Sequence, residues 1–429
     1  MAKGSILAGI DIGTAKVVTL IASQGETGKI HVIGVAATES RGLRKSQIVD
    51  IEEAVESITE SVEAAERMAG YSISQAFVSL SGAHIQSQNS KGVVAIAEPE
   101  GEITSVDVDR VIEAARAVSL PSAREILHVI PRDFMVDSQE GIKDPVGMTG
   151  VRLETEAHLI TASSTAVRNL VKCVNEIGVD VPGVVFSGLA ASESSLSDTE
   201  RELGVTLVDI GAGTTSLSVF VDSALSYSSV IPIGARNITN DLAIGMRVSL
   251  ESAEKIKLAL SKNHRSTNLP KKDDGKDEDE IDLTKLGLKE EVKTASEKTL
   301  VEGIIRPRLN EIFTMVGIEL KKSGLGGLTP AGVVLVGGGS LTVGIETSCK
   351  RILSLPTRVG QPQGLSGLIE EISSPAFAAS TGLILYASKV APSSSKGSAF
   401  GTGVGKIIHR LPVKGTINKA IDFVKSFLP

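Results

Sequence analysis

The sequence predicts an α/β fold of two lobes that repeat one mixed-sheet plan, with a small α/β domain inserted in the first lobe and an amphipathic helix at the C-terminus. An apolar strand, Asp-Ile-Gly, a small-residue turn and a second apolar strand occur in "GIDIGTAKVV" and again 198 positions later in "VDIGAGTTSLSVF". A stretch of different character, 85–158, interrupts the first copy. A Gly/Ser-rich linker precedes an amphipathic stretch at 416–429. The repeat predicts two similar domains that face each other.

The composition is that of a globular protein with an aliphatic core. Of the 429 residues, 41% are hydrophobic and 22% charged, whereas aromatic residues make up 3% and Trp is absent. Two cysteines cannot form a disulfide framework, which favours a reducing, intracellular setting. No apolar run reaches the ~18 residues of a membrane span. The net charge of −7 argues against a dedicated nucleic-acid binder.

The first repeat predicts three strands, a helix and a further strand. β-Branched and aliphatic residues flank a short turn, as in a hairpin, and the helix shows apolar residues at helical spacing. The expected elements are strands Ser5–Asp11, Val17–Ala22 and Ile30–Ala37, helix Asp50–Ala69 and strand Gln75–Ser81. The interrupting stretch combines the helical pattern "TSVDVDRVIEAARAVSL" with strand-like "REILHVIPRDFMVD". After it, "AHLITAS" and "STAVRNLVKCVNEIG" predict a strand and a helix. We therefore expect a first lobe at 1–84 and 159–200 with an inserted domain at 85–158.

The second repeat follows the same plan. Strands are expected at Val205–Ile210, Leu217–Val221 and Ala224–Ile231, and helices around Ile238–Ala243 and Leu250–Leu260. The charged run Lys262–Leu283 predicts a solvated loop, and Val292–Ser323 a long amphipathic helical region interrupted near Pro307. A strand then enters the turn in "VLVGGGS", and "SPAFAASTGLILYA" predicts a final apolar helix. The expected divisions are a lobe core at 201–248 and 331–388, a subdomain at 249–330 with a charged loop at 262–283, a linker at 389–415 and the terminal helix at 416–429.

Both repeated glycine turns predict phosphate-binding hairpins. β-Branched residues follow each turn, so the chain enters a strand and not the helix of a P-loop or a Rossmann motif. Successive backbone N–H groups at a glycine hairpin form an anion-binding nest. The candidate nucleotide-binding residues of the two hairpins are Gly13, Thr14, Ala15, Lys16, Gly211, Gly213, Thr214 and Thr215. Whether Lys16 reaches phosphate or solvent is left open by the sequence.

Asp11 and Asp209 each end an apolar strand, where an unpaired carboxylate is costly. A hydrated Mg²⁺ bound to nucleotide phosphates would relieve that cost, because Mg²⁺ prefers oxygen ligands and keeps waters. We therefore assign both aspartates as catalytic and, through water, as metal-binding residues. No residue identifies itself as a hydrolytic base.

Two further features complete the expected nucleotide site. The turn at Gly337, Gly338, Gly339 and Ser340 lacks bulky side chains and could pack against a purine and ribose. On a predicted helix, Glu254 and Lys257 share a face and could bracket the ribose. The histidines His84, His128 and His158 show no ligand spacing, so no metal–histidine site is predicted.

The C-terminal segment predicts a helix that lies on a membrane surface. From Lys396 onward the chain carries six basic residues and one acidic residue in an otherwise acidic protein. A basic amphipathic helix suits an anionic bilayer surface. The candidate membrane-binding residues are Ile417, Ala420, Ile421, Phe423, Val424, Lys425, Phe427 and Leu428.

These features together resemble the actin, sugar-kinase and heat-shock-chaperone ATPase superfamily, and within it the FtsA family of bacterial cell-division proteins. The segments "LHVIPRDFMVDSQEGIKDPVGMTGVRL", "FSGLAASESSL", "ERELGVTLVDIGAGTT" and "AEKIKLAL" carry the narrower resemblance, which covers essentially the whole chain. It implies an actin-like two-lobed fold with subdomains 1A, 1C, 2A and 2B in the order given above. It also implies binding of ATP with Mg²⁺, with at most weak ATPase activity and a mainly structural role.

The same resemblance implies partners and a location. Members polymerise into actin-like filaments and tether the tubulin-like protein FtsZ to the cytoplasmic face of the inner membrane at the division septum. The FtsZ tail peptide is expected to dock near Arg306 and Arg308, and other division proteins on the 1C domain. The alternatives are an actin-like pilus-assembly ATPase and a sugar kinase. "QEGIKDPVGM" and the tail favour the FtsA family, and a kinase would need an additional Asp base.

Overall fold

The computed structural model describes residues 5–96, 101–266 and 279–390. In the first half of the chain the elements are β1 Ser5–Ile12, β2 Lys16–Gln24, β3 Ile30–Glu39, β4 Leu43–Arg44, β5 Gln47–Ile48, α1 Ile51–Ala69, β6 Phe77–Leu80, β7 Gln86–Ala95, α2 Ser105–Arg116, β8 Arg124–Val136, β9 Gln139–Ile142, β10 Arg152–Ser163, α3 Ser164–Glu176, β11 Val184–Phe186, α4 Ser187–Ser195 and α5 Asp198–Leu203.

The second half contains β12 Val205–Ile210, β13 Thr215–Val221, β14 Ala224–Ile231, α6 Ala235–Met246, α7 Leu250–Ser266, β15 Glu280–Asp282, β16 Thr294–Ser296, α8 Arg306–Ser323, β17 Val333–Val336, α9 Ile345–Leu353, β18 Thr357–Val359, β19 Ser366–Gly367, α10 Ile369–Ile372 and α11 Ala378–Val390. The expected linker at 389–415 begins within α11, and its residues 391–415 lie outside the described residues. The terminal amphipathic helix and residues 267–278 of the charged loop lie outside them as well.

Two sheets share one strand order, which confirms the repeat seen in the sequence. The first sheet runs β11-β6-β1-β2-β3-β19 and the second β18-β17-β12-β13-β14. In each, an antiparallel hairpin and a third antiparallel strand lie beside two parallel strands. Because β1 and β12 occupy equivalent places, the carboxyl ends of both strands deliver Asp11 and Asp209 to corresponding positions.

The inserted segment forms its own four-stranded antiparallel sheet, in the order β7-β10-β8-β9, with α2 packed on it. Asp107, in the first turn of α2, caps the N-terminus of this helix by accepting hydrogen bonds from the backbone N–H and the hydroxyl of Thr104. A small core, which includes Ile103, Val111 and Leu153, fills the space between helix and sheet. The strand β10 continues past residue 158 to Ser163 and leads directly into α3, so the insertion is joined rigidly to the first lobe.

Two expectations for the region 262–323 were wrong in part. The charged run was predicted to be a loop to Leu283, yet Glu280–Asp282 pairs with Thr294–Ser296 and Leu283 is buried against the second core. The predicted helix from Val292 starts later, as a π-helical stretch at Thr299–Ile305 that continues into α8. Pro307 lacks the N–H that would extend a regular i→i−4 ladder, which accounts for the change of helix type beside it.

The last described elements, β19 and α11, belong with the first lobe, although residues 331–388 were expected in the second. β19 pairs in parallel with β3 of the first sheet. The helix α11 packs on β1 and α4, and Leu383 lies against Gly9, where a Cβ would come within 3.0 Å of the leucine Cβ. Local sequence patterns predicted an apolar helix correctly but could not show which sheet it covers.

Candidate functional site

The two glycine hairpins meet at the bottom of a cleft between the lobes. A cavity of about 770 Å³ lies there, which is within the usual size range of ligand sites. Thirteen of the predicted nucleotide and metal residues line it: Asp11, Gly13, Thr14, Ala15, Lys16, Asp209, Gly211, Thr214, Glu254, Lys257, Gly337, Gly338 and Gly339. The fold therefore brings together residues from 11 to 339 that the sequence analysis had grouped by pattern alone.

The hairpin tips touch each other through small residues and hydroxyls. A Cβ on Gly213 would lie 2.8 Å from Thr14 Oγ1, so glycine is required for this approach. Ser46 connects the two tips, because its hydroxyl lies 3.3 Å from Thr14 Oγ1 and 2.9 Å from Thr214 Oγ1. Its backbone N–H also donates to Thr14 Oγ1 at 2.8 Å. Both lobes thus present hydroxyl and backbone donors at one place.

Asp11 and Asp209 face the cleft from opposite hairpins, and the charge of Asp11 affects the pKa of Asp209. Burial, and then the charge of Asp11, raise the pKa of Asp209 to about 7. Burial also raises the pKa of Asp11, against the opposing effects of the Ser79 hydrogen bond and of Lys16. A buried carboxyl group whose ionisation is opposed by a second carboxylate suits a nearby cation, which favours the ionised form. Among the described residues no cluster of three or more His, Cys, Asp or Glu side chains could hold a metal ion by itself.

The Lys16 side chain contacts an aromatic ring and also interacts with the charge of Asp11. Its ammonium lies 3.8 Å from the ring centroid of Phe377, in the short 3₁₀ turn that precedes α11. Burial lowers the pKa of Lys16, and Asp11 opposes this effect. The cation–π contact gives Lys16 an aromatic partner in addition to the two alternatives, phosphate and solvent, that the sequence left open. Phe377 had no sequence signal as a cleft residue.

The glycine turn after β17 is fixed by close contact with Asp209. Gly337 has φ +82°, and a Cβ there would lie 2.3 Å from Asp209 Oδ1. A Cβ on Gly339 would lie 2.4 Å from Ile210 Cγ2. By contrast, the nearest atom to a Cβ on Gly338 would be 3.9 Å away. The turn therefore has two positions that only glycine fits and one position that is open to the cleft.

Glu254 and Lys257 form a hydrogen-bonded group with Thr239 on the second lobe. Lys257 Nζ donates to Glu254 Oε2 at 2.7 Å and to Thr239 Oγ1 at 2.8 Å. The Thr239 hydroxyl donates to the same Glu254 oxygen at 2.5 Å. Lys257 is buried, whereas Glu254 is half-exposed toward the cleft. The lysine thus holds the carboxylate in a fixed orientation.

Two predicted nucleotide-binding residues lie away from the cleft. Thr215 is fully buried and its hydroxyl donates to the Ile233 carbonyl at 2.8 Å, because side chains alternate along β13 and only Thr214 and Ser216 face the cleft. The Ser340 hydroxyl donates to the Gly337 carbonyl at 2.8 Å and stabilises the turn from inside. Both hydroxyls thus have partners within the protein, and the assignment of these two residues to nucleotide binding stays a prediction.

Several serines at the cleft were not predicted from the sequence. Ser79 donates to Asp11 Oδ1 at 2.5 Å and accepts from the Ile12 N–H at 3.3 Å. Ser81 and Ser216 join the lobes with their hydroxyl oxygens 3.1 Å apart. The parallel pairing of β6 beside β1 was the available signal, because the carboxyl ends of neighbouring parallel strands lie at one sheet edge.

The proposed partner residues on α8 are paired with acids of the same chain. Arg308 donates to both carboxylate oxygens of Asp241, at 2.6 and 2.9 Å, and to Glu311. Asp241 raises the pKa of Arg308. Arg306 forms an ion pair with Glu302. Both guanidinium groups are therefore already positioned, one by a bidentate contact.

The three histidines lie in the core or at domain contacts. Burial lowers the pKa of His128 to about 4, and its Nε2 accepts from the Phe186 N–H. Burial, Arg132 and His128 lower the pKa of His158 to about 3. The Nδ1 of His84 accepts a hydrogen bond from the Ser163 N–H at 3.4 Å. No helix in the described part of the chain is long and apolar enough to cross a bilayer.

Comparisons with known proteins show the family to which the chain is related. The family description "SHS2 domain inserted in FTSA" matches residues 82–161 and "Cell division protein FtsA" matches residues 206–382. The cell division protein FtsA of Pseudomonas aeruginosa is 38% identical over 388 residues, covering 90% of this chain and 89% of that protein. That of Borreliella burgdorferi is 40% identical over 382 residues, covering 89% and 91%. That of Escherichia coli K12 is 35% identical over 388 residues, covering 89% and 90%.

Solved structures show the fold. A chain of a PilM–PilN type IV pilus biogenesis complex superposes with a TM-score of 0.62 at 16% identity, covering 89% of this chain and 98% of that chain. The MreB 5 protein of Spiroplasma citri bound to AMPPNP gives a TM-score of 0.50 at 13% identity, covering 87% and 94%. The fold is actin-like, as the sequence predicted. With relatives of 35–40% identity along most of its length, the chain belongs to the FtsA family of cell-division proteins.

Proposed function

We propose that this cell-division protein binds ATP with Mg²⁺ in the cleft between its lobes. The observation that carries the proposal is the meeting of Asp11 and Asp209 between two glycine hairpins, with the pKa of Asp209 raised to about 7. Hairpin N–H groups and the Thr14 and Thr214 hydroxyls are suited to the phosphate chain. The open position at Gly338 suits the flat base, and Glu254 suits the ribose hydroxyls.

The two buried carboxyl groups suit the binding of a hydrated Mg²⁺. Burial and the charge of Asp11 raise the cost of ionising Asp209, and a divalent cation would lower that cost. When bound, Mg²⁺ would neutralise phosphate charge. Ser79 orients Asp11 by its hydrogen bond, and Gly337 allows Asp209 to approach the third glycine turn.

Equilibrium binding of a fluorescent ATP analogue tests this proposal. Wild-type protein with Mg²⁺ is expected to bind saturably, and Asp209→Ala should weaken binding at least tenfold. Glu176→Ala, an acid on α3 outside the cleft, is the matched control. Absence of saturable binding by the wild-type protein contradicts the proposal. A phosphate-release assay on the same pair reports turnover, for which we expect a low rate, and equal rates would show that Asp209 does not support hydrolysis.

We further propose that the protein polymerises and tethers FtsZ filaments to the cytoplasmic face of the inner membrane at the septum. The FtsZ tail peptide would dock on the second lobe near Arg306 and Arg308. An acidic peptide would have to share or replace Glu302, Asp241 and Glu311 as partners of these guanidinium groups. The 1C domain would bind other division proteins.

Co-sedimentation with FtsZ filaments tests the tether. The protein should pellet with FtsZ, and added tail peptide should compete. Arg308→Ala should weaken co-pelleting, while Lys322→Ala, at the C-terminal end of α8, serves as a control. Failure to co-pellet under any nucleotide condition contradicts the tethering role.

Membrane attachment is proposed for the C-terminal segment on its sequence alone. Its apolar stripe, from Ile417 to Leu428, and its excess of basic residues suit an anionic bilayer. A single short helix binds weakly, so several tails on one filament would be needed, with an avidity gain of ~10²–10⁴. A chain that ends at Lys389 should no longer pellet with anionic liposomes, and continued pelleting would show that the tail is not the anchor.

A further inference from the structure

A third, short hairpin reaches the tips of the two glycine hairpins. Its strands β4 and β5 pair with each other and are joined by a two-residue turn, Lys45–Ser46. A Cβ on Gly213 would lie 3.0 Å from Lys45 Cα, so the turn lies against the tip of the second glycine hairpin. The Ser46 N–H donates to Thr14 Oγ1 in the first glycine hairpin at 2.8 Å. This turn of the first lobe therefore contacts the phosphate end of both lobes.

Both turn residues have a backbone conformation that L-amino acids rarely adopt. The angle φ is +49° at Lys45 and +59° at Ser46, where two-residue hairpin turns usually contain asparagine or glycine. The base of the hairpin is fixed, because the Gly42 carbonyl accepts from the N–H groups of Val49 at 2.8 Å and Asp50 at 3.1 Å. Strained backbone of this kind persists where the surrounding structure fixes it, and it is concentrated at ligand-binding sites. The strain directs attention to what the turn presents to the cleft.

Three hydroxyl groups, one from each hairpin, lie together on the wall of the cleft: Thr14, Ser46 and Thr214. Ser46 Oγ is 3.3 Å from Thr14 Oγ1 and 2.9 Å from Thr214 Oγ1. These two contacts use two of the three hydroxyl protons. Within the described part of the chain the three hydroxyls make no further hydrogen bond except the one that Thr14 accepts from the Ser46 N–H. One hydroxyl proton is therefore left to donate to an acceptor in the cleft.

The same hairpin carries positive charge that the protein leaves uncompensated. Arg44 and Lys45 are both exposed, and neither forms an ion pair with a described residue. The backbone of Lys45 lies at the second glycine hairpin, so its ammonium group belongs to the phosphate end of the cleft. A lysine in such a place acts as a point charge for phosphate oxygens. The turn thus combines a cation with a hydroxyl donor, which suits an anionic group.

The place of the turn selects one end of a bound nucleotide. Gly338, which suits the base, and Glu254, which suits the ribose, both belong to the second lobe. Ser46 belongs to the first lobe and lies beyond the hydroxyl of Thr214. A nucleotide whose base and ribose are held by the second lobe therefore reaches Ser46 with the part of its phosphate chain that is farthest from the base.

We propose that the Lys45–Ser46 turn binds the terminal phosphate of a nucleoside triphosphate and so distinguishes it from a diphosphate. This inference rests on the proposed nucleotide site and adds two residues to it. The Ser46 hydroxyl donates to an oxygen of the terminal phosphate, and the Lys45 ammonium compensates its charge. A diphosphate ends before the turn and gains neither contact. The presence of the third phosphate is thereby sensed by an element that touches both lobes.

Displacement of the fluorescent ATP analogue by AMPPNP and by ADP, each with Mg²⁺, tests the turn in the full-length protein. Ser46→Gly keeps a residue that tolerates positive φ and should weaken AMPPNP binding about tenfold, because it removes a hydrogen bond to a charged group. Lys45→Asn also suits the turn and should weaken it about fivefold. Both variants should change ADP binding less than about twofold, since ADP lacks these contacts.

Matched controls lie in equivalent surroundings away from the cleft. Ser138→Gly alters a serine at φ +74° in the two-residue turn between β8 and β9, and Lys29→Asn removes an exposed lysine of the first lobe. Both should bind AMPPNP and ADP as wild type does. Thermal unfolding checks that each variant is folded. Lys45→Asn, which changes only an exposed side chain, carries the test if Ser46→Gly is not folded.

The ratio of the two affinities decides the outcome. If Ser46→Gly and Lys45→Asn weaken AMPPNP and ADP equally, or weaken neither, the assignment to the terminal phosphate is overturned while the nucleotide site stands. If wild-type protein binds no nucleotide saturably, the proposed function fails and this inference fails with it. A selective loss of AMPPNP affinity in both variants, absent from both controls, supports the assignment.

Discussion

Ser87 and Ser228 exchange two hydrogen bonds across the junction between the inserted domain and the second lobe. The Ser87 hydroxyl donates to the Ser228 carbonyl at 2.7 Å and accepts from the Ser228 N–H at 3.0 Å. His158 adds to the junction, with Nδ1 2.7 Å from Asn89 Oδ1 and Nε2 3.1 Å from Ser228 Oγ. Although the inserted domain is covalently part of the first lobe, it is therefore hydrogen-bonded to an edge strand of the second.

Ser87→Ala should loosen this junction. The substitution leaves the Ser228 N–H without its partner in a poorly hydrated contact, at a cost of about 1–3 kcal/mol. Hydrogen exchange of the Ser228 amide should become faster by one to two orders of magnitude. Ser90→Ala, on the same strand but without a described side-chain hydrogen bond, should leave the exchange rate unchanged. Equal protection in both variants would contradict the importance of this contact.

Acidification should destabilise the protein through two buried histidines. Burial holds the pKa of His128 at about 4, and burial together with Arg132 and His128 holds that of His158 at about 3, below the ordinary value of 6.5. Between the folded and unfolded pKa values the unfolded chain binds more protons than the folded chain at these two histidines, so their contribution to stability is complete above about pH 6.5 and falls as the pH falls, whereas the raised pKa of Asp209 acts in the opposite direction.

Each of these histidines should cost about 2 kcal/mol of stability at pH 5, since one pKa unit corresponds to about 1.4 kcal/mol. Urea unfolding at pH 5, 6 and 7.5 measures the loss. His158→Asn should reduce the pH dependence, whereas His31→Asn should preserve it. An equal pH dependence in wild type and His158→Asn would show that His158 is not responsible.

Binding of ATP with Mg²⁺ should strengthen as the pH rises from 6 to 8. With its pKa raised to about 7 by burial and Asp11, Asp209 is mostly protonated at pH 6 and must lose a proton to hold a cation. The apparent affinity should therefore be about tenfold lower at pH 6 than at its plateau. In EDTA the affinity should not rise with pH. A raised pKa also means that the ligand-free protein loses stability as the pH rises toward 7, and Mg²⁺ with nucleotide should offset that loss.

Gly337→Ala should abolish nucleotide binding and Gly338→Ala should not. At Gly337 the new Cβ would lie 2.3 Å from Asp209 Oδ1, and φ +82° is strained for alanine. The expected loss of stability exceeds about 1 kcal/mol. At Gly338 the nearest atom, Ala376 Cβ, would be 3.9 Å away. Equal affinities of the two variants for the ATP analogue would contradict the assigned geometry of the turn.

Lys16 should exchange its contact with Phe377 for phosphate when nucleotide binds. Because a cation–π contact is worth about 0.5–2 kcal/mol, Phe377→Leu should release the lysine and raise nucleotide affinity about two- to thirtyfold. Lys16→Met should lower the affinity. Titration of the ATP analogue against both variants measures the difference. If Phe377→Leu weakens binding as much as Lys16→Met does, the ring instead holds the lysine in place for phosphate.

Sequence patterns predicted those parts of the site that depend on local chain geometry. Asp11 and Asp209 were identified because each ends a strand and begins a glycine turn, and the repeat made them equivalent. Thr215 was assigned to the cleft together with Thr214, although successive side chains along β13 point to opposite faces of the sheet. Ser46, Ser79 and Phe377 could not be predicted, since only the packing of distant segments brings them to the hairpins. The same limit explains why the sheet under α11 was not identified.

The return of the chain to its first sheet determines how a pulling force would pass through the molecule. The last described helix, α11, lies on β1, with Leu383 against Gly9, and β1 ends at Asp11. Tension applied to the chain beyond Val390 would therefore act first on the lobe that holds the Asp11 hairpin. Tension applied at Arg308 would act on the other lobe. If the two ends of the molecule are held by different structures, the load between them crosses the cleft, where Ser46 and Thr214 meet.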